Sequence, residues 1–219
     1  FPYTTLFRST ITYTPGAADA TASTLTPTSA SIVANGSSTQ VLTVTAKDAN
    51  GNNLTAGGST VTITKSSGTG TISSVTDNSN GTYTATVTSP TAAGSGVFVA
   101  TLGAAAVKSG TGSQTQSTIT YTAGTATKLV VSTISGQTAG TGFAVTVTLT
   151  DVNGNPVLAT ADGTVTLSLK TGTGTLGGTV TGTITLGSSA VTISGVTYTK
   201  AETGVVLTAT GSVAGNVSG

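Results

Sequence analysis

The sequence predicts an all-β protein built from tandem antiparallel β-sandwiches, and three observations support this fold class. Of its 219 residues, 36% are hydrophobic but only 6% are charged and 4% aromatic, and the chain is rich in Thr and Gly, a composition that favours strands and turns over helices. Apolar and polar residues alternate along many short segments. The pentapeptide TITYT at residues 10–14 returns unchanged at residues 118–122, and this spacing is about the length of one sandwich domain.

The first nine residues are left out of the fold prediction. Residues 1–9 (FPYTTLFRS) resemble the translation of a common sequencing adapter joined to an environmental gene fragment, and we interpret them as a non-native artefact. The full chain has seven basic and six acidic residues, so removing Arg8 leaves a balanced charge. This composition provides no basic patch for nucleic acid, and a membrane link is expected only through a flanking anchor.

Period-two alternation predicts the individual strands. Leu42, Val44 and Ala46 alternate with Thr43, Thr45 and Lys47, which places one face of the strand in a core and the other in water. The remaining predicted core positions are Val61, Ile63, Tyr83, Ala85, Val87, Ile119, Tyr121, Phe143, Val145, Val147, Leu149, Val165, Leu167, Leu169, Val205, Leu207 and Ala209.

Turn signals separate these segments. The dipeptides are Asn35-Gly36, Asn50-Gly51, Asn80-Gly81, Asn153-Gly154 and Asp162-Gly163. Each is expected to supply the positive φ of a hairpin turn. About seven short strands per unit at this spacing are typical of immunoglobulin-like sandwiches.

The motifs also resemble a known family. Residues 44–52 (VTAKDANGN), 68–72 (GTGTI) and 77–85 (DNSNGTYTA) are similar to the bacterial Ig-like repeats of the invasin and intimin type. Residues 137–141, 151–156 and 198–201 resemble a more distant relative of these repeats in large bacterial surface proteins. The resemblance implies an exported, cell-surface or secreted repeat protein, commonly an adhesin stalk, with no catalytic residues and no cofactor.

Domain boundaries follow from the repeat. Residues 10–14 are predicted to be the last strand of an upstream repeat, residues 15–122 one Ig-like domain, and residues 123–219 a second that stops before its last strand. The short linker at residues 122–124 is expected to restrict hinge motion, as a stalk requires.

Two related turns are the candidate metal sites. Asp48 and Asn50 in DANGN, and Asp151 and Asn153 in DVNGN, offer oxygen ligands to calcium. The glycine comes two residues early for an EF-hand, and no closing Glu follows. An Asx-type turn is the favoured alternative, with Gly51 and Gly154 as structural turn residues. Calcium bound between domains by scattered carboxylates is a further alternative.

The aromatic residues are predicted to pack in the core rather than to form a catalytic or ligand-binding site. Tyr83 follows Asp77 and Gly81 in the arrangement of a tyrosine corner, in which the hydroxyl bonds the backbone and the ring fills the core. Tyr13, Tyr121 and Tyr198 are expected to be packing residues in strands. The sequence contains no His, Cys or Trp, which argues against a nucleophilic enzyme and against a carbohydrate-stacking platform.

Three function classes compete at this stage. The first is a structural stalk or spacer in an adhesin-like surface protein, with neighbouring Ig-like repeats as its partners. The second is an adhesive module that binds an unknown host or neighbouring-cell receptor through an exposed patch. The third is an accessory domain of a secreted enzyme or phage tail protein. The motifs specify fold more strongly than function.

Overall fold

The computed structural model describes residues 9–110, 112–213 and 217–218, and within these ranges all regular structure is β-strand. No helix in the described part of the chain is long and apolar enough to cross a membrane. The chain divides into two compact units. The first contains the residues up to Ala30, Thr39–Thr88 and Ser95–Thr120, and the second contains Ser31–Ser38, Ser89–Gly94 and the residues from Tyr121 onward.

In the described part of the first sandwich, ten strands form two five-stranded sheets. They are β1 (Ala18–Thr26), β2 (Ser29–Val33), β3 (Thr39–Asp48), β4 (Val61–Gly68), β5 (Thr71–Ile72), β6 (Thr76–Asp77), β7 (Thr82–Thr88), β8 (Gly94–Leu102), β9 (Ala105–Ala106) and β10 (Gln116–Thr122). One sheet has the order β1-β3-β7-β5 with β6 also on β7, and the other has the order β2-β10-β8-β4 with β9 also on β8.

Alternating side chains form the core of this sandwich. Leu42, Val44 and Ala46 of β3 are fully buried, while the threonines between them are partly exposed. The chain changes sheets between β1 and β2 at Pro27, a residue that has no N–H to extend a ladder. The pentapeptide at residues 118–122 belongs to β10, and its Ile119 and Tyr121 side chains are buried.

The described residues of the second sandwich form eight strands in two four-stranded sheets. They are β11 (Lys128–Val131), β12 (Phe143–Thr150), β13 (Gly163–Thr171), β14 (Leu176–Gly178), β15 (Thr181–Ile184), β16 (Ala190–Tyr198), β17 (Val206–Gly211) and β18 (Val217–Ser218). The sheet orders are β11-β12-β16-β14 and β15-β13-β17-β18.

One hydrophobic cluster joins these two sheets. Val145, Val147 and Leu149 of β12 pack with Val165 and Leu167 of β13, so the inward faces of both sheets share a core, as in an Ig-like sandwich. The antiparallel all-β class predicted from alternation is confirmed. The strand count differs from the expected seven, because the predictions did not include several two- and three-residue strands.

The turn predictions were correct in four cases and wrong in one. Gly36, Gly51, Gly81 and Gly154 all have positive φ. Gly163 does not, because it is the first residue of β13, where a Cβ would lie only 2.5 Å from a Val213 side-chain carbon. Asn80-Gly81 closes a hairpin between β6 and β7. Asn50-Gly51 and Asn153-Gly154 are each flanked by an isolated antiparallel bridge, Lys47↔Asn53 and Thr150↔Pro156. Asn35-Gly36 lies between strands of different sheets.

The N-terminal copy of the pentapeptide differs from residues 118–122 in secondary structure and exposure. Residues 10–14 are in no strand, and the Ile11 and Tyr13 side chains are 72% and 88% exposed. The prediction that Tyr13 is a packing residue is therefore wrong, because no described strand lies beside this segment to cover it. Residues 1–8, on which most of the artefact prediction rests, lie outside the described ranges.

Candidate functional site

The first candidate turn is organised around the Asp48 carboxylate at the end of β3. Its Oδ1 accepts the N–H groups of Asn50 and Asn52 at 3.0 and 2.9 Å. Its Oδ2 accepts the Asn52 side-chain amide and the Gly16 N–H, both at 2.9 Å. The bond from Asn52, followed by that from Gly16, lowers the pKa of Asp48 to about 2. Asp48 is therefore ionised at neutral pH although its side chain is almost fully buried.

The second candidate turn repeats this geometry at the end of β12. Oδ1 of Asp151 accepts the N–H groups of Asn153 and Asn155, both at 2.9 Å. Oδ2 accepts the Asn155 side-chain amide at 2.9 Å and the Gly124 N–H at 2.8 Å. Burial alone raises the pKa of Asp151, but the bonds from Asn155, Gly124 and Asn153 outweigh it, so the pKa lies below its ordinary value.

Both carboxylates are thus saturated by their own chain. A carboxylate offers about four acceptor positions, and each aspartate receives four donors from backbone and amide groups. Asn50 and Asn153, the other two candidate metal ligands, contribute backbone N–H groups to these bonds. Within the described residues, no group of three or more acidic, His or Cys side chains is placed to hold a metal ion.

Sequence reasoning missed the partners that complete each turn. The side-chain donors are Asn52 and Asn155, and the distant backbone donors are Gly16 and Gly124. The spacing Asp-x-x-x-Asn shared by both turns was the available signal. Gly51 and Gly154 lie in the turns with φ of +84° and +87°, and a Cβ at either position would contact nothing within 4 Å.

Tyr83 fixes a loop of the first sandwich to its core. Its ring is buried, and its hydroxyl oxygen accepts the Ser59 N–H at 2.9 Å. Two residues earlier, Gly81 has a φ of +83°, and a Cβ there would lie 1.9 Å from the Leu54 carbonyl oxygen. Asp77 accepts the Gly58 N–H at 2.7 Å. These contacts serve the fold, with every polar group directed at the backbone.

A polar cluster that sequence reasoning did not anticipate lies at the end of β16. Glu202 accepts hydrogen bonds from the Tyr198 hydroxyl and from the N–H and Oγ1 of Thr173, the latter two at 2.7 and 2.8 Å. The Lys200 ammonium lies 3.5 Å from the Glu202 carboxylate. The bond from Tyr198 is the main reason that the pKa of Glu202 falls to about 2. Burial, followed by the bond to Glu202, raises the pKa of Tyr198.

This cluster borders a pocket of about 180 Å³ in the second sandwich. Its apolar lining includes Ile134, Phe143, Val205 and Leu207, and Gln137 lies on its polar side. Polar side chains line as much of it as apolar ones, and Lys200 and Glu202 are among them. Convergent polar groups in a pocket are a feature of ligand sites. Within the second sandwich, this pocket is the strongest candidate for a site that contacts another molecule.

The sheet architecture defines a class, the Ig-like β-sandwich domains. Residues 19–124 match the family model described as invasin, domain 3, so this part of the chain is similar to the adhesin domains of the invasin family. Domains of this family are extracellular or exposed at the cell surface, and they are non-enzymatic. No curated protein matches the sequence.

Among solved structures, invasin shows the same fold. The crystal structure of invasin, described as a bacterial integrin-binding protein, is 20% identical with a TM-score of 0.52, over 90% of this chain and 37% of that one. The Yersinia pseudotuberculosis adhesin InvE is 24% identical with a TM-score of 0.44, over 92% of this chain and 59% of that one. The Escherichia coli adhesin FdeC is 22% identical with a TM-score of 0.41, over 93% and 66%. The chain therefore spans only part of each protein.

Proposed function

We propose that the chain is a spacer segment of an exported, adhesin-like bacterial surface protein, in which neighbouring Ig-like repeats are its partners. The observation that carries the proposal is the use of polar side chains at the turns. Asp48 and Asp151 each direct all their acceptor capacity at their own sandwich. Side chains committed in this way hold a fold together and leave little capacity for a ligand.

The outward faces of the long strands support the same function. On β7 the side chains that alternate with the buried Tyr83, Ala85 and Val87 are all threonine. Threonines also bond to each other across strands, as Thr62 does with Thr101 at 2.7 Å. A small, neutral, hydroxyl-bearing face is compatible with exposure to water and presents no anchor of the aromatic or Arg type that dominates binding interfaces.

The spacer proposal is tested by placing the chain between a membrane anchor and a known binding tip on a bacterial surface. The bacterium carries a surface polymer coat thick enough to mask a tip that is attached directly to the anchor. Inserting the folded chain between anchor and tip is expected to restore binding of the tip to target cells. The matched control is the Val147→Asp variant, which puts a charge into the buried core of the second sandwich and prevents it from folding. Equal binding with the folded chain and with this variant would contradict the spacer proposal.

The alternative function is an adhesive module, and the pocket beside Tyr198 and Glu202 is the observation that favours it. Invasin is described as integrin-binding, so integrin-bearing cells are the appropriate target. Beads coated with the chain alone should bind such cells no better than uncoated beads if the chain is a spacer. Saturable binding that Lys200→Ala abolishes would instead support the adhesive module.

A further inference from the structure

Asn-Gly pairs form turns, but they are also chemically labile. The backbone nitrogen that follows an asparagine can attack the side-chain carbonyl carbon, and glycine favours this attack because it has no Cβ to obstruct it. Asparagine is accordingly one of the thermolabile residues of proteins. The sequence contains four such pairs, which begin at Asn35, Asn50, Asn80 and Asn153. All four asparagines are exposed, so exposure alone does not distinguish them.

The Asn50 side chain is free to take part in this reaction. Its backbone N–H donates to Asp48, but its side-chain amide has no hydrogen-bond partner among residues 9–110, 112–213 and 217–218. Gly51 is exposed, and an added Cβ there would contact nothing within 4 Å. The Gly51 N–H donates to the Asp48 carbonyl oxygen at 2.9 Å. A transient opening of this one turn bond therefore brings the Gly51 nitrogen within reach of the Asn50 side chain.

Asn80, in the same sandwich, is held away from this reaction. Its Oδ1 accepts the N–H and the Oγ1 hydroxyl of Thr82 at 3.0 and 2.7 Å. The following Gly81 is buried, and an added Cβ there would lie 1.9 Å from the Leu54 carbonyl oxygen. Rotation of the Asn80 side chain towards the Gly81 nitrogen breaks two hydrogen bonds in a confined space.

The other two asparagines are also engaged. Oδ1 of Asn35 accepts the N–H groups of Ser37 and Ser38 at 2.9 and 2.7 Å. Asn153 donates its side-chain amide to the Ala34 carbonyl oxygen at 3.2 Å, within the same compact unit. The net loss of one hydrogen bond slows a reaction by about two- to tenfold. The contacts therefore rank the four pairs, with Asn50 first, Asn153 second, and Asn35 and Asn80 last.

We propose that Asn50 is a site of spontaneous deamidation and that it reacts before the other three Asn-Gly pairs. The Gly51 nitrogen forms a bond to Cγ of Asn50, the Cγ–Nδ2 bond breaks, and the Gly51 N–H proton leaves with Nδ2 as ammonia. Water then opens the cyclic imide at one of its two carbonyl carbons. Addition at Cγ gives aspartate. Addition at the main-chain carbonyl carbon gives isoaspartate, in which the main chain runs through Cβ and Cγ.

Both products weaken the turn that the Asp48 carboxylate organises. The new carboxylate lies close to the ionised Asp48, whose acceptor positions are already filled by the donors of the turn. Like charges are then brought together without a compensating partner. In isoaspartate the main chain gains one atom before the Gly51 nitrogen, which displaces the bond from Gly51 to the Asp48 carbonyl oxygen.

Tryptic mapping of the purified full chain tests the site. Each Asn-Gly pair falls in a different fragment, and the fragments are residues 9–47, 48–65, 66–108 and 129–170. The folded chain is incubated at mildly alkaline pH, and mass spectrometry follows the conversion of amide to carboxyl in each fragment. We expect Asn50 to react about two- to tenfold faster than Asn153, and faster still than Asn35 and Asn80. In a chain unfolded by urea, the four rates should converge.

Matched variants separate the structural cause from the dipeptide. Asn50→Gln should abolish the early modification in fragment 48–65, whereas Asn80→Gln should leave it unchanged. Thr82→Val removes one donor from Asn80 and should raise the rate at Asn80 by about two- to tenfold. Equal rates at Asn50 and Asn80 in the folded chain, a difference that persists in urea, or an unchanged rate at Asn80 in Thr82→Val would overturn the proposal.

Ageing of the folded chain tests the effect on the turn. After most of Asn50 has reacted, the first sandwich should unfold at a lower temperature than it does in fresh protein. Asn50→Gln, aged in the same way, should keep its unfolding temperature. An equal fall in both proteins, or no fall in either, would show that modification at Asn50 does not weaken the turn.

Discussion

Replacing Gly81 by alanine tests a close approach of two backbone segments in the first sandwich. Gly81 has a φ of +83°, and an added Cβ would lie 1.9 Å from the Leu54 carbonyl oxygen. Gly51 has nearly the same φ, +84°, but an added Cβ would contact nothing within 4 Å. Both alanine substitutions therefore carry the cost of a left-handed backbone conformation. They differ in the space available for the added methyl group.

The expected magnitudes follow from these two terms. A left-handed conformation costs an L-residue about 1–2 kcal/mol, so Gly51→Ala should lower the free energy of unfolding by that amount. Gly81→Ala must also displace the Leu54 carbonyl, and forced rearrangement of a packed site costs about 1–3 kcal/mol more. We expect Gly81→Ala to lower the free energy of unfolding by about 2–5 kcal/mol in total.

Thermal and urea unfolding, followed by circular dichroism, measure both variants. In a domain of this size each kcal/mol lowers Tm by roughly 4–8 °C. The chain has two units, so the curves are fitted with two transitions, and the second sandwich serves as an internal control. Equal destabilisation by the two substitutions would refute the argument, because it would show that the Leu54 carbonyl does not restrict the side chain at position 81.

Three further predictions concern the turns and the tyrosine. Tyr83→Phe leaves the Ser59 N–H without its acceptor and should lower the free energy of unfolding by about 1–3 kcal/mol in urea melts, whereas Tyr13→Phe, at an exposed position, should have no effect. The folded-state pKa of Asp48 is about 2, below its ordinary value of 3.8, so its stabilising contribution is complete above pH 3.8 and is lost as the pH falls towards 2. Acid titration of Tm should show this loss, and Asp48→Asn should reduce it. Adding calcium should leave Tm unchanged, and a calcium-dependent rise that Asp151→Asn removes would instead identify a cation site.

The core was predictable because burial in a sheet follows a period of two. The inward residues Leu42, Val44 and Ala46 are fully buried, and no tertiary information was needed to choose them. The short strands β5, β6 and β9 were not predictable, because two residues cannot display a period. The turn signal at Gly163 failed for a tertiary reason, since this glycine is required by the approach of Val213.

The candidate turns were only partly predictable. The motif Asp-x-Asn-Gly-Asn places the carboxylate and the glycine correctly, since these interactions are local. The donors from Gly16 and Gly124 come from positions 32 and 27 residues away, and sequence spacing gives no access to them. The cluster of Tyr198, Glu202 and Thr173 was missed for the same reason, because Thr173 comes from a different loop.

The threonine-lined outer faces affect how the stability of the folded protein depends on salt. Thr146 bonds to Thr192 across β12 and β16 at 3.0 Å, and charged residues make up only 6% of the sequence. Dissolved salt weakens attraction between exposed ions, but it has little effect on bonds between neutral hydroxyl groups. The stability of the fold should therefore change little with the salt concentration of the surrounding solution.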